Sequence, residues 1–321
     1  MSSKVKYSFP SGKFYLNFQT VIVTGLYRSG KTTLGNLLAT NHNVEHSEEP
    51  WVLDLLPILT KIGAMDKTLG KEMFVSYLHE LMNDTVLLRK SNFRPGDASS
   101  IWTKKIPEEI FSRLVNLKTR SDVADFVKKN KPTLLLVIPN SPLFNLPAIF
   151  DFVPDCKVIH VVRKGADVAC QIKEKGWWSD KQLINPPHSR VYYRITAKGR
   201  PFYVPCWIEP KDAKQFIEYS EYERALFYWC VLAENMAKSL EKIKNKKRRL
   251  MTIRFEDLIN DPRKTLKEVN SFLNMKSSSM TEKALHEVRN YKNLSEKPPE
   301  LPKDLLVRAK KMYKYFGYGW D

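Results

Sequence analysis

A short glycine-containing stretch near the start of the chain constrains the fold more than any other part of the sequence. Residues 20–38 read TVIVTGLYRSGKTTLGNLL and place Gly25, Gly30, Lys31 and Thr32 at the spacing G-x-x-x-x-G-K-T. A β-branched run precedes the glycines and a helical pattern follows them. Glycines let the backbone curl so that amide N–H groups point inward, and the positive end of the following helix attracts an anion. The stretch therefore predicts a strand, a phosphate-binding loop and a helix.

Four short apolar runs rich in β-branched residues recur along the chain between helical patterns. They cover residues 20–24, 133–138, 157–162 and 249–254. Such runs are typical of strands covered on both faces, and hence of a parallel sheet wrapped by helices. A chain of 321 residues is long enough to bury this sheet in one domain. We therefore predict an α/β fold, with a central parallel β-sheet flanked by helices, formed by a single domain over residues 1–321.

The helical pattern is strongest in the segment that begins at Ser220. Ser220 and Glu223 have the spacing of a capping box, and apolar residues then recur at steps of three and four. Further helices are predicted over residues 31–41, 71–90, 142–152 and 166–175, and from the capping residue Asp261 to Phe272.

Residues 176–219 differ from the rest of the chain because their aromatic side chains follow neither a helical nor a strand period. Prolines and charged residues separate the rings of Trp177, Trp178, Tyr192, Tyr193, Phe202, Tyr203 and Trp207. We interpret this segment as an ordered loop region or a lid.

The chain is strongly basic, with a formal net charge of +18 from 53 Lys and Arg against 35 Asp and Glu. Such a surface attracts anions, which could be nucleic acid, an anionic membrane or a phosphorylated cofactor. The densest basic run, KIKNKKRR at residues 242–249, stands between a helical pattern and a strand, where it is typical of a solvated turn. Because no nucleic-acid-reading motif accompanies the charge, a non-catalytic nucleic-acid-binding protein is the weaker interpretation.

Features of membrane, secreted and zinc proteins are missing from the sequence. No run reaches the roughly 18 apolar residues of a membrane-spanning helix, and residues 1–20 lack the apolar core of a signal peptide. The cysteines are widely spaced, with no C-x-x-C pair and no His cluster, and are Cys156, Cys170, Cys206 and Cys230. We expect a cytoplasmic protein with buried free thiols, no zinc site and no membrane partner.

The ends of the predicted strands argue against an ATP-hydrolysing loop. An enzyme that uses ATP with magnesium needs an acid, usually at the end of a neighbouring apolar strand. Here the apolar runs end at Asn140 and Arg163, and Glu256 and Asp257 follow only the more polar run at residues 249–254. Arg163 precedes a helical pattern, so its guanidinium and the helix N-terminus can share a second anion. Two anion sites indicate a nucleotide phosphorylated at both ends, with a P-loop kinase or NTPase as the alternative.

Three segments, in order along the chain, carry motifs of one family. GLYRSGKTTL at residues 25–34 resembles its 5′-phosphosulfate loop, FVPDCKVIHVVRKGADVACQ at residues 152–171 its 3′-phosphate segment, and RLMTIRFEDLINDPRKTLKEVNSFLNM at residues 249–275 its later strand and helix. The family is that of the sulfotransferases that use 3′-phosphoadenosine 5′-phosphosulfate (PAPS), whose single α/β domain is related to nucleotide kinases. The resemblance implies transfer of a sulfuryl group from PAPS to a hydroxyl or amine, with adenosine 3′,5′-bisphosphate (PAP) as product and no metal required.

The resemblance also implies a role for each matching residue. The loop backbone would cradle the 5′-phosphate and the sulfuryl group, and consists of Tyr27, Arg28, Ser29, Gly30, Lys31, Thr32 and Thr33. Arg28 would donate to the oxygens where charge builds as the sulfuryl group leaves, and Thr32 to the 5′-phosphate. Arg163 and Gln171 would bind the 3′-phosphate.

Three positions depart from the family pattern. Lys31 replaces a small hydroxyl residue, and either adds a second cation at the leaving group or only imitates the ATP-type motif. Gln171 stands where the family has serine, and its amide could still donate to the 3′-phosphate. Val137 occupies the position of a lysine that many members carry, so a catalytic lysine is absent there.

A sulfuryl acceptor must lose a proton, usually to a His or Glu. The Glu-Pro pair in HSEEPW at residues 46–51 resembles one that follows the loop helix in many family members, so Glu49 is the first candidate base, with Glu48 and His46 as rivals. The alternative is that these acids only cap the next helix. His160 lies in an apolar run and is interpreted as a core residue, and no role is assigned to His79, His188 and His286.

The aromatic segment at residues 176–219 would then cover the acceptor. Aromatic rings bind planar or cationic small molecules by stacking, whereas a polysaccharide would also need a long basic groove. We therefore expect a small metabolite or natural product as the acceptor, ahead of an oligosaccharide or a lipid-linked sugar.

Overall fold

The computed structural model describes residues 16–187, 190–243, 245–288 and 299–320, and is built around a parallel sheet. The strands are β1 (Gln19–Gly25), β2 (Val44–Glu48), β3 (Thr133–Pro139), β4 (Lys157–Val162), β5 (Tyr192–Ala197), β6 (Arg200–Pro205) and β7 (Leu250–Arg254). Five of them form the parallel sheet in the order β2-β3-β1-β4-β7, and β5 and β6 form an antiparallel hairpin. Most of the segment examined for a signal peptide, residues 1–15, lies outside the described residues, as does His188.

Helices cover both faces of the parallel sheet. They are α1 (Lys31–Leu38), α2 (Trp51–Lys61), α3 (Lys67–Val86), α4 (Pro107–Asn116), α5 (Arg120–Asn130), α6 (Ser141–Phe144), α7 (Leu146–Phe152), α8 (Gly165–Glu174), α9 (Asp180–Ile184), α10 (Ala213–Glu218), α11 (Glu221–Lys242), α12 (Lys246–Arg249), α13 (Phe255–Asn260), α14 (Pro262–Leu273), α15 (Ser279–Val288) and α16 (Lys303–Tyr315). One apolar layer joins the sheet to α2, α3, α7, α8, α11 and α16, and the other joins it to α1, α13, α14 and α15. The predicted α/β fold is confirmed.

Strand β3 shows why the predicted strands are apolar throughout. Leu134, Leu136 and Ile138 pack into the first layer, whereas Leu135 and Val137 pack into the second. Successive side chains of a strand point to opposite faces, so a strand that is covered on both faces has no position for a polar residue. Each such side chain contributes about 1.5–3 kcal/mol when it is fully buried.

Strand β2 was not predicted, because its sequence VEHSE is polar. It lies at the edge of the sheet beside β3, and its buried Glu45 accepts from Lys105 Nζ at 3.2 Å and from Arg113 Nη2 at 2.7 Å. Burial by itself raises the pKa of Glu45, but Lys105 and Arg113 outweigh this effect and lower the pKa. Ion pairs with side chains from distant parts of the chain therefore hold this strand in the sheet.

Two other predicted segments differ from the structure. Residues 142–152 form α6 and α7 instead of one helix, because Asn145 leaves the helical region with φ −142° and ψ 58°. Residues 176–219, interpreted as a loop or lid, contain α9, the β5–β6 hairpin and α10. Trp178, Phe202 and Trp207 of this segment are buried in the apolar core, and the segment lacks a single period because it changes element every few residues.

The remaining expectations concern the surface and the cysteines. The basic run at residues 242–249 forms the end of α11 and the short α12, which has no buried residue, and Lys244 lies outside the described residues. Cys156, Cys170 and Cys230 are buried, and Cys206 is partly buried. Within the part of the chain that the structure describes, no helix is long and apolar enough to cross a membrane.

Candidate active site

The predicted phosphate loop joins β1 to α1 and packs closely on neighbouring elements. Gly30 has φ 89°, and a Cβ at this position would lie 2.0 Å from the Phe255 ring at the start of α13. A Cβ on Gly25 would lie 2.5 Å from the carbonyl oxygen of Val161 on β4. Both glycines are required by close approach, and α1 begins directly after the loop at Lys31. The positive N-terminal end of this helix therefore lies at the loop, as the sequence predicts.

Arg28, Gln171 and Arg163 lie together on one side of the loop. Arg28 Nε donates to Gln171 Oε1 at 2.9 Å, and Arg163 Nη1 donates to the carbonyl oxygen of Arg28 at 3.4 Å. The guanidinium carbon of Arg163 lies 4.8 Å from the centre of the Phe255 ring. The structure thus brings the two residues predicted for a 3′-phosphate next to a cation predicted for the 5′ end.

Arg163 is a buried cation with unused donors. Its side chain is 1% exposed, and its Nε lies 3.7 Å from Asp167 Oδ2. Nε and Nη2 have no hydrogen-bond partner among the described residues. Burial raises the pKa of Asp167, and Arg163 only partly opposes this rise. A buried guanidinium with free N–H groups is costly unless an anion satisfies them, so these residues fit a phosphate group.

Lys31 and Glu49 form an ion pair on the other side of the loop. Lys31 Nζ lies 3.2 Å from Glu49 Oε1, with side chains 5% and 46% exposed. Glu49 has φ 46°, and its N–H donates to the carbonyl oxygen of Val137 at 3.0 Å. The N-cap of α2 is Pro50, with no side-chain cap, so the alternative that these acids only cap the next helix finds no support here. The left-handed turn at Glu49 instead carries its carboxylate to the lysine of the loop.

The unpredicted strand β2 also brings an acid to the loop. It ends at Glu48, and the side chain of Thr32 hydrogen-bonds to the Glu48 carboxyl. Burial raises the pKa of Glu48, whereas Lys104 opposes this rise. The strand ends inferred from apolar runs did not include this acid, since β2 is polar. The described residues contain no group of three or more His, Cys, Asp or Glu side chains arranged to hold a metal ion.

The two histidines considered from the sequence are neutral. Lys104 Nζ lies 3.2 Å from His46 Nδ1, and burial together with Lys104 and Lys105 lowers the pKa of His46 well below its usual value. Because Nδ1 accepts from an ammonium group, it is not free to take a proton from an acceptor, and the geometry favours Glu49 over His46 as a base. His160 is buried in the core as predicted, and burial lowers its pKa to about 4.

Three residues near the loop were missed by the sequence analysis. The N–H of Ser141 donates to Asp54 Oδ1 at 3.1 Å, and burial raises the pKa of Asp54 to about 6, with a further contribution from Glu49. Asn140 follows β3 directly and has φ 47°, and its Oδ1 accepts from the Tyr228 hydroxyl. These side chains come from α2, α11 and the end of β3, and no local sequence pattern connects them.

An aromatic group links the loop to the segment at residues 176–219. The Tyr27 and Trp177 rings meet edge to face at 5.3 Å, and the Arg190 guanidinium lies 4.9 Å from the Tyr27 ring centre. Burial raises the pKa of Tyr27 to about 12, so its phenol is neutral at physiological pH. Of the rings predicted to cover the acceptor, Trp177 lies at the loop, whereas Trp178 and Trp207 belong to the core.

Comparison with known proteins decides the family. The family model for the sulfotransferase domain matches residues 18–315. The chain belongs to the sulfotransferase family. No curated protein matches its sequence.

The chain is also similar to solved structures of sulfotransferases. The sulfotransferase domain from the curacin biosynthetic pathway is 12% identical over 95% of this chain and 99% of its own, with a TM-score of 0.50. The sulfotransferase domain from the Synechococcus PCC 7002 olefin synthase is 15% identical, covers 99% of this chain and 100% of its own, and has a TM-score of 0.48. Mouse sulfotransferase SULT7A1, solved as a complex with PAP, is 11% identical over 95% of this chain and 80% of its own, with a TM-score of 0.37.

Replacing Gly30 by Ala tests the packing of the sulfotransferase loop on α13. We expect Gly30→Ala to lose about 1–3 kcal/mol more stability than Gly63→Ala, because the new methyl group meets the Phe255 ring. Gly63 is a matched control, since it has φ 75° and nothing within 4 Å of its added Cβ, and so reports backbone strain alone. Urea unfolding of both variants measures the difference, and equal losses would contradict a packed loop.

Proposed function

We propose that this enzyme transfers the sulfuryl group of PAPS to a hydroxyl or amine of a small-molecule acceptor. The observation that carries the proposal is the buried guanidinium of Arg163 beside the loop, whose Nε and Nη2 have no hydrogen-bond partner among the described residues, although Asp167 Oδ2 lies 3.7 Å from Nε. A nucleotide with phosphates at both its 5′ and 3′ positions satisfies the loop and Arg163 together. ATP carries its phosphates in one chain and offers no second phosphate to the N–H groups of Arg163 that lack a hydrogen-bond partner.

Different residues bind the two phosphorylated ends of the nucleotide. The backbone of residues 27–33 and the N-terminus of α1 hold the 5′-phosphate end, with Thr32 as a hydroxyl donor. Arg163 and the amide of Gln171 hold the 3′-phosphate, and Arg28, which contacts both, connects the two ends. PAPS supplies an activated sulfuryl group, and the protein contributes position and charge stabilisation.

The transfer forms a bond from the acceptor oxygen or nitrogen to sulfur, breaks the bond from sulfur to the 5′-phosphate oxygen, and releases one proton. Arg28 and Lys31 neutralise the charge that develops on the leaving phosphate. Lys31 is paired with Glu49 in the structure. A phosphate in the loop competes for this ammonium group and releases Glu49, which then accepts the proton of the acceptor.

The proposed acceptor side of the loop carries both aromatic rings and carboxyl groups. The rings of Tyr27 and Trp177 offer a stacking surface beside the loop, and the carboxyls of Glu49 and Asp54 lie near it. This arrangement supports a metabolite or natural product as the acceptor. A cytoplasmic location, and action without a nucleic-acid, membrane or metal partner, complete the proposal.

Removing Arg163 separates the two phosphate sites. We expect Arg163→Ala to weaken PAP binding by about 1.5–3 kcal/mol, the value of a charge-assisted contact, and to leave adenosine 5′-phosphosulfate binding nearly unchanged, since only PAP has a 3′-phosphate. Isothermal titration with both nucleotides measures this. Arg254→Ala is the control, because Arg254 is bound to Asp257 at the surface. Equal losses for the two nucleotides would remove Arg163 from this role.

Chelation separates the proposed reaction from that of a kinase. We expect activity to survive EDTA, because Arg28 and Lys31 already neutralise the leaving phosphate. The hydrogen bond between Thr32 and Glu48 is the feature that favours the kinase alternative, since a hydroxyl and an acid at this position could bind magnesium. Complete loss of activity that magnesium restores would support that alternative.

Glu49 is tested as the base by a substitution that keeps its size. We expect Glu49→Gln to keep PAP affinity and to lower kcat by about 10²- to 10⁴-fold, the usual effect of losing a general base. His46→Ala, Glu48→Gln and Asp54→Asn should be milder, and turnover on one acceptor compares all four variants. If Glu49→Gln turned over normally and one of the others did not, the role of the base would move to that residue.

A further inference from the structure

A cavity opens beside the edge strand β2, on the side of the loop away from Arg163. Its volume is about 490 Å³, and β2, α3 and the segment at residues 90–105 form its walls. Glu48 and Pro50, which flank the candidate base Glu49, line it together with Tyr77 and Ser99. This volume is within the range of sites that take small molecules.

The cavity contains a buried ammonium group that has no carboxylate partner. Lys104 is 9% exposed, and its Nζ donates to the carbonyl oxygen of Ser99 at 3.1 Å and to His46 Nδ1 at 3.2 Å. Among the residues that the structure describes, no carboxylate forms an ion pair with Lys104, and Glu48 attracts it only over a longer distance. Burial lowers the pKa of Lys104 to about 8, so the group is still mostly charged at pH 7.

The other cations of the cavity are paired with carboxylates, and the carboxyl of Glu48 also lines the cavity. Lys105 is bound to Glu45 at 3.2 Å, and Lys90 to Asp84 at 2.6 Å. His46 accepts from Lys104 through Nδ1, so its Nε2 carries the ring proton, and this buried Nε2 has no partner among the described residues. His46 Nε2 lies close to Gly35 of α1, where an added Cβ would be 3.7 Å from it, so Lys104 is the cation of the cavity that has no ion pair among the described residues.

We infer that this cavity binds an oxyanion group, a carboxylate or a sulfate, at Lys104. A buried cation destabilises a protein unless an anion pairs with it, and the ammonium group of Lys104 donates only to the neutral acceptors Ser99 O and His46 Nδ1. Because Glu48 and Pro50 belong both to this cavity and to the turn that carries Glu49, an acceptor at Glu49 can extend an acidic end to Lys104. The oxyanion therefore belongs to the acceptor, and this last step rests on the proposed function.

Binding of simple anions tests the site. The full chain, saturated with PAP to fill the phosphate sites, is titrated at constant ionic strength with sodium sulfate, D-glucuronate and the neutral match D-glucose. We expect saturable binding of the anions that Lys104→Met weakens by at least about 10-fold, the effect of losing a charge-assisted contact. Lys90→Met is the control, because Lys90 lines the same cavity but is half-exposed and paired with Asp84.

Each outcome of the titration either identifies the class of anion that binds or contradicts the proposed site. Tighter binding of glucuronate than of sulfate and glucose supports an acidic organic acceptor, whereas equal binding of sulfate and glucuronate supports an anion site but assigns it to a free anion. Anion binding that is the same in Lys104→Met and the wild type, or equal binding of glucose and glucuronate, overturns the inference. PAP affinity, measured first, tests the proposed function separately.

Thermal unfolding tests the opposite view, in which Lys104 is only a structural partner of Glu48. We expect the melting temperature of Lys104→Met to stay the same or rise, because methionine replaces an unpaired buried charge. Lys105→Met should lower it, since Lys105 pairs with the buried carboxylate of Glu45. A fall in Lys104→Met as large as that in Lys105→Met overturns the inference.

Discussion

The buried guanidinium of Arg163 is the group on which the rest of the site depends. It contacts the phosphate loop through the carbonyl oxygen of Arg28, α8 through Asp167 and α13 through the face of Phe255. The indole N–H of Trp229, on α11, donates to the carbonyl oxygen of Arg163 at 3.1 Å. Since Gly30 packs on the same Phe255 ring, the loop and this cation cannot move independently. One packed unit therefore sets the spacing between the two proposed phosphate sites.

Charges of opposite sign follow each other along the side of the loop that faces away from Arg163. The charges of Lys104 and Glu48 attract each other, and Glu48 is hydrogen-bonded to Thr32. Next to Thr32, Lys31 is paired with Glu49. Interactions between buried charges are strong because little water screens them. An anion bound in the loop would therefore alter the electrostatic interactions of all these side chains, and not only those of the residue that it contacts.

The sequence predicted the parts of the molecule whose constraints are local. The strands β1, β3 and β4 are apolar because both faces are covered, and the loop glycines are required by close contact with β4 and Phe255. Arg163 could be assigned to a second anion site because it follows an apolar run and precedes a helical pattern, whereas Arg28 and Gln171 were assigned only through the family resemblance. The roles of these residues in binding a nucleotide stay predictions.

The parts that were not predicted depend on contacts between distant segments. The sequence of β2 is polar, and it can still occupy the sheet edge because Lys105 and Arg113 form ion pairs with its buried Glu45. Asp54 lies in a helix whose sequence has an ordinary apolar pattern, and only its enclosure beside Ser141 makes it unusual. The segment at residues 176–219 contains aromatic side chains that are buried in the core, such as Trp178, and others that contact the loop, such as Trp177. Composition alone does not distinguish these two groups.

Glu49 and Asp54 are two carboxyl groups near the loop that differ in burial and in ion pairing. Glu49 is half-exposed and paired with Lys31, whereas burial, together with a smaller effect of the charge of Glu49, raises the pKa of Asp54 to about 6. Lys31 lowers the pKa of Asp54, so a phosphate that neutralises Lys31 removes this effect. The pKa of Asp54 would then rise further. A protonated carboxyl donates a hydrogen bond and an ionised one takes a proton, so nucleotide binding would give the two acids separate functions toward one acceptor group.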